Sequence, residues 1–421
     1  MKRKIESKAT ILNLNLKFFL LSFLLNPLIY LNSGSQEILA DEDIPNLTDR
    51  GKKIENFIFF NTSRAKYETI KNSTGEKIFI EAESLIINGD TLNTEEINTR
   101  GQTTLNFRRK SFSFNLKSKA SFHHNDKKES FKKFFALSLC MDKDYVNNRL
   151  AFEMMEVSKV FNLFYSFCEL KINDHCEGIY LVVERPEDWA IKKKDSRILI
   201  RRGYNQNIEK IETDKNIEKD EVRKYCEYYR QIYKYLNRYD GEELYRMISG
   251  LLDLDMYMRW LAFNFLVRNG DYTDEVYFYF DPGINKFGII PWDYDDLFFS
   301  APHEGNIEKT ELIGRKLIFS AEDLLDKKIA TDPYLYRIYL NQFREVLNQL
   351  SAEVLKKVFE NTYAELYPYY SKAEIIGMSE YDAYHLTNLE KLANDMLTLY
   401  KKLKYSRERY LNHLNDIPDS L

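Results

Sequence analysis

The chain has 421 residues, of which 44% are hydrophobic, 14% aromatic and 30% charged, a composition typical of a globular protein and not of a disordered one. At roughly 150 residues per domain, this length predicts two or three domains or one large bilobal unit. Lys and Arg total 61 against 65 Asp and Glu, so the net charge of −4 gives no general reason to expect nucleic acid as a partner.

The amino-terminal segment has the three parts of a secretory signal. It begins MKRK, continues with the apolar run FFLLSFLLNPLIYL, and reaches the small residue Ala40 at a position suited to cleavage. The run is about 14 residues long, whereas a membrane-spanning helix needs roughly 20. We therefore expect residues 1–40 to be a cleaved signal peptide. The mature protein is expected in the periplasm, the cell envelope or the medium, without a membrane as partner; an uncleaved anchor is the alternative.

The first part of the mature chain is mainly strand-like. Residues 41–75 read as an irregular polar lead-in with one strand-like patch, IENFIFF. Over residues 76–200, apolar and polar side chains alternate along several runs, which predicts a strand-rich lobe. The predicted elements of this lobe are strands within 77–90 and 103–119, a helix at 147–161 and a hairpin at 167–183.

Residues 201–421 are mainly helix-like, because apolar side chains recur at three- and four-residue spacing. One β-hairpin at 277–291, with a turn at DPGIN, interrupts the helices. A strand-rich lobe followed by a helix-rich lobe predicts an α+β fold with a cleft between the lobes. The predicted helices lie at 222–250, 253–266, 320–328, 333–348, 351–369 and 387–415, after a charged stretch at 205–221 that is expected to be a loop.

Three aspartates are expected to meet in this cleft. Asp271 follows the helix at 253–266, whereas Asp293 and Asp295 follow the hairpin at 277–291. Because the two strands of a hairpin end side by side, the chain before the hairpin must lie close to the chain after it. Clustered carboxylates raise one another's pKa or recruit a cation, which favours a divalent metal site or acid–base chemistry. Loop caps and surface acids are the alternative interpretation.

One lysine is expected on the apolar or cleft side of a strand. Lys110 has the same parity as Phe112 and Phe114, so the two-residue period of a strand points these side chains to one face. Its candidate partner is Glu153, which lies on the inward stripe of the helix at 147–161. The alternative for Lys110 is a side chain that extends to the surface.

The four cysteines have no CxxC spacing, so neither a zinc site nor a redox motif is indicated. Cys168 and Cys176 flank the turn-like pair Asn173 and Asp174 and could face each other across a hairpin. A disulfide and a pair of free thiols are both compatible with this spacing.

Five segments occur in a characteristic order: RGQTTLNFRRKSFSFNLK, VNNRLAFEMMEV, LKINDHCEGIYLVVERPEDW, LDMYMRWLAFNFLVRNGD and GIIPWDYDDLF. In this order they resemble the blocks of the spore coat protein H (CotH) kinase family. The resemblance covers about residues 95–415, most of the mature chain. The combination of RWLA and PWDYD with an aspartate between them is much more specific than a lone pair of aspartates.

The resemblance implies a reduced, atypical protein-kinase-like fold that is bilobal and holds ATP with Mg²⁺ or Mn²⁺ between its lobes. It also implies transfer of phosphate to Ser or Thr of a protein substrate. By similarity, Asp271 would orient the acceptor hydroxyl. Asp293 would hold the metal, and Asp295 would be a second ligand or a support for the first.

The resemblance also assigns groups that contact the nucleotide. Lys110 would contact phosphate, with Glu153 as its ion-pair partner. Glu184 would lie near the connection between the lobes, and Arg100 would order the cleft or a phosphate. These four residues complete the predicted site.

The chain departs from the family at one position that bears on catalysis. Family members commonly carry an Asn about five residues after the loop aspartate, where it could bind a second metal, but here Val276 occupies that position. Asp274 or Glu275 would have to replace it. The segment before Lys110 also lacks a Gly-rich phosphate loop, which the family manages without.

Three functions are therefore compatible with the sequence. The first is an exported ATP-dependent Ser/Thr protein kinase, and the second is a non-catalytic binding protein of the same fold, a pseudokinase. The third is a glycan hydrolase with paired carboxylates, which would suit the 61 aromatic side chains. The third explains neither Lys110 nor the PWDYD segment.

Overall fold

The computed structural model describes residues 44–48, 53–302 and 316–416. The predicted signal peptide at 1–40 lies outside these residues. All the elements below belong to the compact unit Pro45–Leu421. Within the described ranges, no helix combines the length and the apolar character needed to cross a membrane.

The strand-rich lobe is built on one sheet, which has nine strands in the described chain. The strands are β1 (Phe57–Asn61), β2 (Phe79–Ile80), β3 (Ser84–Ile87), β4 (Asp90–Thr91), β5 (Thr94–Arg100), β6 (Ser111–His124), β7 (Lys127–Leu137), β8 (Tyr165–Ile172) and β9 (His175–Glu184). Their order in the sheet is β2-β5-β6-β7-β9-β8-β1-β3-β4. Neighbours are antiparallel except β1 and β8, which are parallel. The predicted hairpin at 167–183 is confirmed as β8 and β9.

Three helices accompany this sheet: α1 (Arg64–Asn72), α2 (Asn147–Val157) and α3 (Pro186–Lys194). The strand-like patch expected in the lead-in at 41–75 is β1, and the otherwise irregular stretch also contains α1, which the sequence analysis missed. Ile58 and Phe60 alternate inward and hold β1 between β8 and β3. Helix α1 begins where the Ser63 side chain accepts a hydrogen bond from the Lys66 amide, which caps its first turn.

A second sheet of four described strands joins the two lobes, in the order β11-β10-β12-β13. Its strands are β10 (Ile198–Arg202), β11 (Ile208–Thr213), β12 (Val276–Asp281) and β13 (Lys286–Pro291). The predicted hairpin at 277–291 is confirmed as β12 and β13. The stretch at 205–221 was expected to be a loop but contains β11, whose mostly exposed charged residues gave it a loop-like composition. The predicted boundary between the lobes, after residue 200, falls inside β10.

The remaining chain is helical, as predicted. The helices are α4 (Lys219–Leu236), α5 (Gly241–Ser249), α6 (Leu254–Val267), α7 (Leu324–Thr331), α8 (Pro333–Gln349), α9 (Ala352–Tyr370), α10 (Ala373–Met378) and α11 (Leu389–Asn415). The predicted helix at 222–250 is divided into α4 and α5 by residues 237–240, and Gly241, the first residue of α5, has a left-handed φ of +59° that suits glycine. A mixed α+β fold with a strand-rich first part and a helical second part is therefore confirmed.

Strands β8 and β9 separate two apolar cores. Alternate side chains such as Phe167 and Leu181 enter a larger core shared with the helices, whereas Leu170 and Tyr180 enter a smaller core inside the first sheet. Cys176 lies in the larger core and Cys168 in the smaller one, and both are free thiols. The two cysteines cannot be bridged, because the period of the strands places them on opposite faces of the sheet.

Candidate active site

The two lobes border a cleft of about 1170 Å³, larger than the usual range of about 300–1000 Å³ for small-molecule sites. One wall comes from the ends of β5, β6 and β7, including Arg100, Ser111 and Phe135. The opposite wall comes from β10 to β12 and from the loops before β12 and after β13, including Asp271 and Asp293. The cleft therefore has space for a nucleotide and part of a second substrate.

The loops at 271–275 and 292–296 meet at this cleft, as the hairpin argument predicts. The Gly270 amide donates to the Asp296 carbonyl oxygen at 2.8 Å, and the Trp292 amide donates to the Glu275 carbonyl oxygen at 3.0 Å. Asp271, Asp293 and Asp295 all line the cleft. The backbone contacts at the end of the β12–β13 hairpin thus bring three distant carboxylates together.

The carboxylates in the cleft repel one another. Burial, together with the charge of Asp271, raises the pKa of Asp293 to about 6, and burial and Asp271 raise the pKa of Asp274 to about 6. The pKa values of Asp295 and Glu275 lie well above their usual range, because both groups are buried and face Asp293. Asp293 also has a left-handed φ of +50°. Such a cluster favours a bound cation, since positive charge would relieve the repulsion.

Two buried carboxylate oxygens in the cleft lack hydrogen-bond partners among the described residues: Oδ1 of Asp274 and Oε2 of Glu275. Val276, at the position of the family Asn, is fully buried in the core and cannot reach the cleft. In the described part of the chain, no three Asp, Glu, His or Cys side chains converge closely enough to hold a metal alone. Mg²⁺, however, commonly takes one or two carboxylates and completes its shell with phosphate oxygens and water. The donor set therefore fits a hard cation that arrives with phosphate.

Two asparagines at the start of α2 hold the 292–296 loop. The Asn147 side-chain amide donates to the Asp295 carbonyl oxygen at 2.7 Å, and the Tyr294 amide donates to Oδ1 of Asn148 at 3.1 Å. Asp142 in turn accepts hydrogen bonds from the backbone amides of both asparagines. Sequence reasoning missed these residues, because they do not cap α2 but bind a loop nearly 150 residues later in the chain, a contact without a local signal.

Arg100 lies in the cleft and lacks a close carboxylate. Its guanidinium stacks 3.9 Å from the Phe135 ring centroid and 5.8 Å from that of Trp292. No described carboxylate is within ion-pair distance, although Asp293 is near enough for the two charges to influence each other's pKa. Arg100 therefore offers hydrogen-bond donors to an anion in the cleft.

Lys110 does not reach the cleft. Its Nζ donates to the carbonyl oxygens of Ser73 at 2.7 Å and Leu105 at 2.6 Å. The parity argument was correct, since Phe112 lies on the same side, but this side faces the smaller core, and Ser111 on the other side lines the cleft. Of the two expected sides, Lys110 therefore faces the apolar one; its expected place in the cleft was wrong, and so was the alternative of surface exposure.

The two predicted glutamates have other partners. Glu153 accepts from Arg149 at 2.5 Å and from the Asn361 amide at 2.8 Å, so the predicted Lys110–Glu153 ion pair does not form. The reason is that this side of α2 packs against α9. Glu184 accepts from Lys193 at 2.8 Å and is not among the described residues that line the cleft.

The chain also matches a known protein family. Residues 97–393 match the family model described as CotH kinase protein. The chain belongs to the CotH kinase family. In this CotH-family protein, RWLA lies in α6 and belongs mainly to the larger core, whereas PWDYD begins at the last residue of β13 and contributes Trp292, Asp293 and Asp295 to the cleft. Family membership favours a kinase-like protein over a glycan hydrolase.

Solved structures similar to parts of the chain include the following two, and no curated protein matches it. One is the Shewanella oneidensis MR-1 toxin–antitoxin system HipA, HipB and its operator DNA complex, at 12% identity and a TM-score of 0.29. That alignment covers 71% of this chain and 66% of the other, slightly less than two thirds. The second is the Helicobacter pylori proinflammatory kinase CtkA, at 9% identity and a TM-score of 0.29, covering 70% of this chain and 94% of the other. Similarity at this level does not assign an activity.

Proposed function

We propose that this CotH-family protein is an exported protein kinase that transfers the γ-phosphate of ATP to a Ser or Thr hydroxyl of a protein substrate. The observation that carries the proposal is the meeting of the 271–275 and 292–296 loops in one cleft that also contains Arg100. The family match supports a kinase-like protein. Export is supported by the pattern of residues 1–40.

Asp271 is the residue we assign to the acceptor. Among the described residues, its carboxylate has no hydrogen-bond or ion-pair partner, so it is available to accept a hydrogen bond from an incoming hydroxyl. In this role it orients the hydroxyl oxygen toward the γ-phosphorus and takes its proton as the new P–O bond forms. ADP leaves with the bridging oxygen.

Asp293, supported by Asp295, is assigned to a divalent cation, Mg²⁺ or Mn²⁺. When bound, such a cation neutralises charge on the β- and γ-phosphate oxygens. Asp274 and Glu275 add unpaired oxygens on the same side of the cleft. The hydrogen bonds that Asn147 donates and Asn148 accepts hold the loop that carries Asp293, so its carboxylate is positioned before the metal arrives.

Arg100 is assigned to the phosphates in place of Lys110. A guanidinium offers several donors in one plane and pairs well with phosphate oxygens. Stacking on Phe135 fixes its orientation without using any of these donors. The assignment follows from position, because Arg100 lines the cleft and Lys110 is bound to two backbone carbonyls outside it.

A second candidate function is nucleotide binding without phosphate transfer. Val276 favours it, because a buried valine cannot supply the polar group that the family commonly has at this position. In that case the protein would bind ATP with a divalent cation and present the loaded cleft to another protein.

The test is phosphate transfer from γ-labelled ATP to a Ser-rich basic acceptor with Mg²⁺ or Mn²⁺, beside Asp271→Asn and Asp293→Asn. Asn accepts the left-handed backbone at residue 293, so the second variant removes charge without adding strain. Asp220→Asn, at an exposed position, is the matched control. Transfer lost in both site variants and kept in the control supports a kinase. Metal-dependent ATP binding without transfer supports the second candidate, and absence of both contradicts both proposals.

A further inference from the structure

Strand β10 ends in two consecutive arginines that contact the 271–275 loop from opposite sides. Successive side chains of a strand point to opposite faces, so Arg201 faces the cleft and Arg202 faces the helical core. Arg202 is fully buried, which is costly for a cation unless it has several partners.

The partners of Arg202 connect the loop to two helices. Its Nε donates to the Thr273 carbonyl oxygen at 2.6 Å, and its Nη1 donates to the Tyr257 hydroxyl of α6 at 2.5 Å. Asp323 and Asp326, at the start of α7, are its acidic neighbours and lie 3.5 and 3.9 Å from its guanidinium. The Tyr257 hydroxyl also donates to Asp326 at 2.5 Å, so α6, α7 and the loop share one buried network.

Arg201 contacts the same loop from the cleft. Its Nε donates to the Asp274 carbonyl oxygen at 3.3 Å, and its Nη2 pairs with Glu275 at 2.6 Å. A further ion pair with Glu209 at 3.0 Å connects it to β11. The carbonyls of two consecutive loop residues, 273 and 274, are therefore bound by two consecutive arginines.

The loop itself combines buried side chains with one side chain that has no described partner. Tyr272 and Thr273 are buried, and the Tyr272 hydroxyl donates to the Ser320 carbonyl oxygen at 3.1 Å. Asp271 directs a carboxylate without a described partner into the cleft. Because the Asp271 carboxylate has no described partner, its position depends on the backbone, which Asn269 Oδ1 holds by accepting from the Asp271 amide at 3.2 Å and which the buried Tyr272 and Thr273 anchor.

We propose that Arg202 is a positioning residue that, opposite Arg201, clamps the 271–275 loop and thereby sets the position of the Asp271 carboxylate. The catalytic consequence rests on the proposed kinase function; the clamp does not. An arginine suits this place because its planar fork reaches a carbonyl, a hydroxyl and two carboxylates in different directions at once. A lysine has its donors on one atom and cannot span the same partners.

The variants for the test are Arg202→Met, Arg202→Lys and Tyr257→Phe, made in the full chain. Arg109→Met is the matched control, because Arg109 is equally buried, pairs with Asp382 and binds the carbonyl oxygens of Glu177 and Ile179, away from the loop. The first measurement is hydrogen exchange of the amides at 270–276, compared with the amides of β8 and β9 in the same sample. It does not require activity.

Arg202→Met is expected to speed exchange at 270–276 by about tenfold while β8 and β9 change no more than in Arg109→Met. At a temperature where all variants are folded, kcat for phosphate transfer should fall by about tenfold or more with little change in the KM for ATP, because the nucleotide contacts remain. Arg202→Lys should restore part of the kcat but not the full value of the native protein.

Equal exchange at 270–276 in Arg202→Met and Arg109→Met would overturn the clamp. A loss of kcat no larger than that of the control would overturn the positioning role. If the native protein transfers no phosphate, the kinase proposal fails, and the exchange result still decides for or against the clamp. If Arg202→Met does not fold, Tyr257→Phe, which removes only the hydroxyl that accepts from Nη1, gives the same comparison.

Discussion

Replacing Lys110 by Met separates the structural role of this lysine from the phosphate role that family resemblance assigns to it. Met keeps most of the apolar length of the side chain and removes the ammonium group. The Nζ of Lys110 makes two hydrogen bonds to buried carbonyl oxygens, at 2.7 and 2.6 Å. Each hydrogen bond from a charged donor contributes about 1.5–3 kcal/mol, and burial of the ammonium offsets part of this. We expect the free energy of unfolding to fall by about 2–4 kcal/mol.

The same substitution at Arg100 should have the opposite pattern. Arg100→Met removes a guanidinium that has no described ion-pair partner, so the free energy of unfolding should change by less than about 1 kcal/mol. Loss of one charge-assisted contact with phosphate, about 1.5–3 kcal/mol, should weaken ATP binding about ten- to hundredfold. Lys110→Met should leave the affinity for ATP within about threefold of the native value, because its Nζ is outside the cleft.

The assay combines urea unfolding with calorimetric titration of ATP and Mg²⁺ into the folded protein. Lys119→Met is the control, because Lys119 is exposed on the same strand and should affect neither quantity. The reasoning would be refuted if Lys110→Met abolished ATP binding at unchanged stability. It would also be refuted if Arg100→Met left the affinity unaltered.

Three further predictions concern the loops and the buried network. Asp271→Asn should lower phosphate transfer by about 10²–10⁴-fold without changing the affinity for ATP, since it removes a proton acceptor and no nucleotide contact; a parallel loss of ATP binding, seen by titration, would contradict this. Burial raises the pKa of Asp326 from 3.8 to about 7, so the unfolded chain releases its proton first and stability is lost as pH rises from about 4 to 7. Asp326→Asn should flatten this part of the pH dependence in urea titrations, and an unchanged slope would show that the group ionises normally. Asn148→Ala should remove the hydrogen bonds with the Tyr294 amide and Asp142 and so lower the free energy of unfolding by about 1–3 kcal/mol. It should also weaken metal-dependent ATP binding. Normal binding of ATP and metal would mean that Asn147 holds the loop alone.

The local periodicity of the sequence was sufficient for the elements around the site. Helix α6 spans Leu254–Val267 against a prediction of 253–266. The hairpin after it begins at Val276 and ends at Pro291, against a prediction of 277–291. Because a hairpin joins its own ends, the proximity of Asp271 and Asp293 followed without knowledge of any distant contact. These features depend on residues that are close in the chain, so the sequence is enough to predict them.

The placement of Lys110 shows where this reasoning stops. Strand parity groups Lys110 with Phe112, but it does not say which face of β6 lines the cleft. One face packs in the smaller core and the other faces the cleft. Only the curl of the sheet, produced by its pairing with β5 and β7, decides which face is which. The same holds for Glu153, because the packing of α2 against α9, more than 200 residues later, assigns its partner.

Membership of the CotH family, the α+β class and the pair of acidic loops can thus be read from the order and spacing of residues alone, since each depends on local patterns. The tertiary structure decides which basic side chain faces the cleft. It also decides which buried arginine holds the Asp271 loop. Arg202 reaches Thr273 only because β10 and β12 are neighbours in one sheet, although about 70 residues separate them in the chain. A contact of that kind has no local signature, because a charge is buried only where it is surrounded by partners, and these partners meet only in the folded protein.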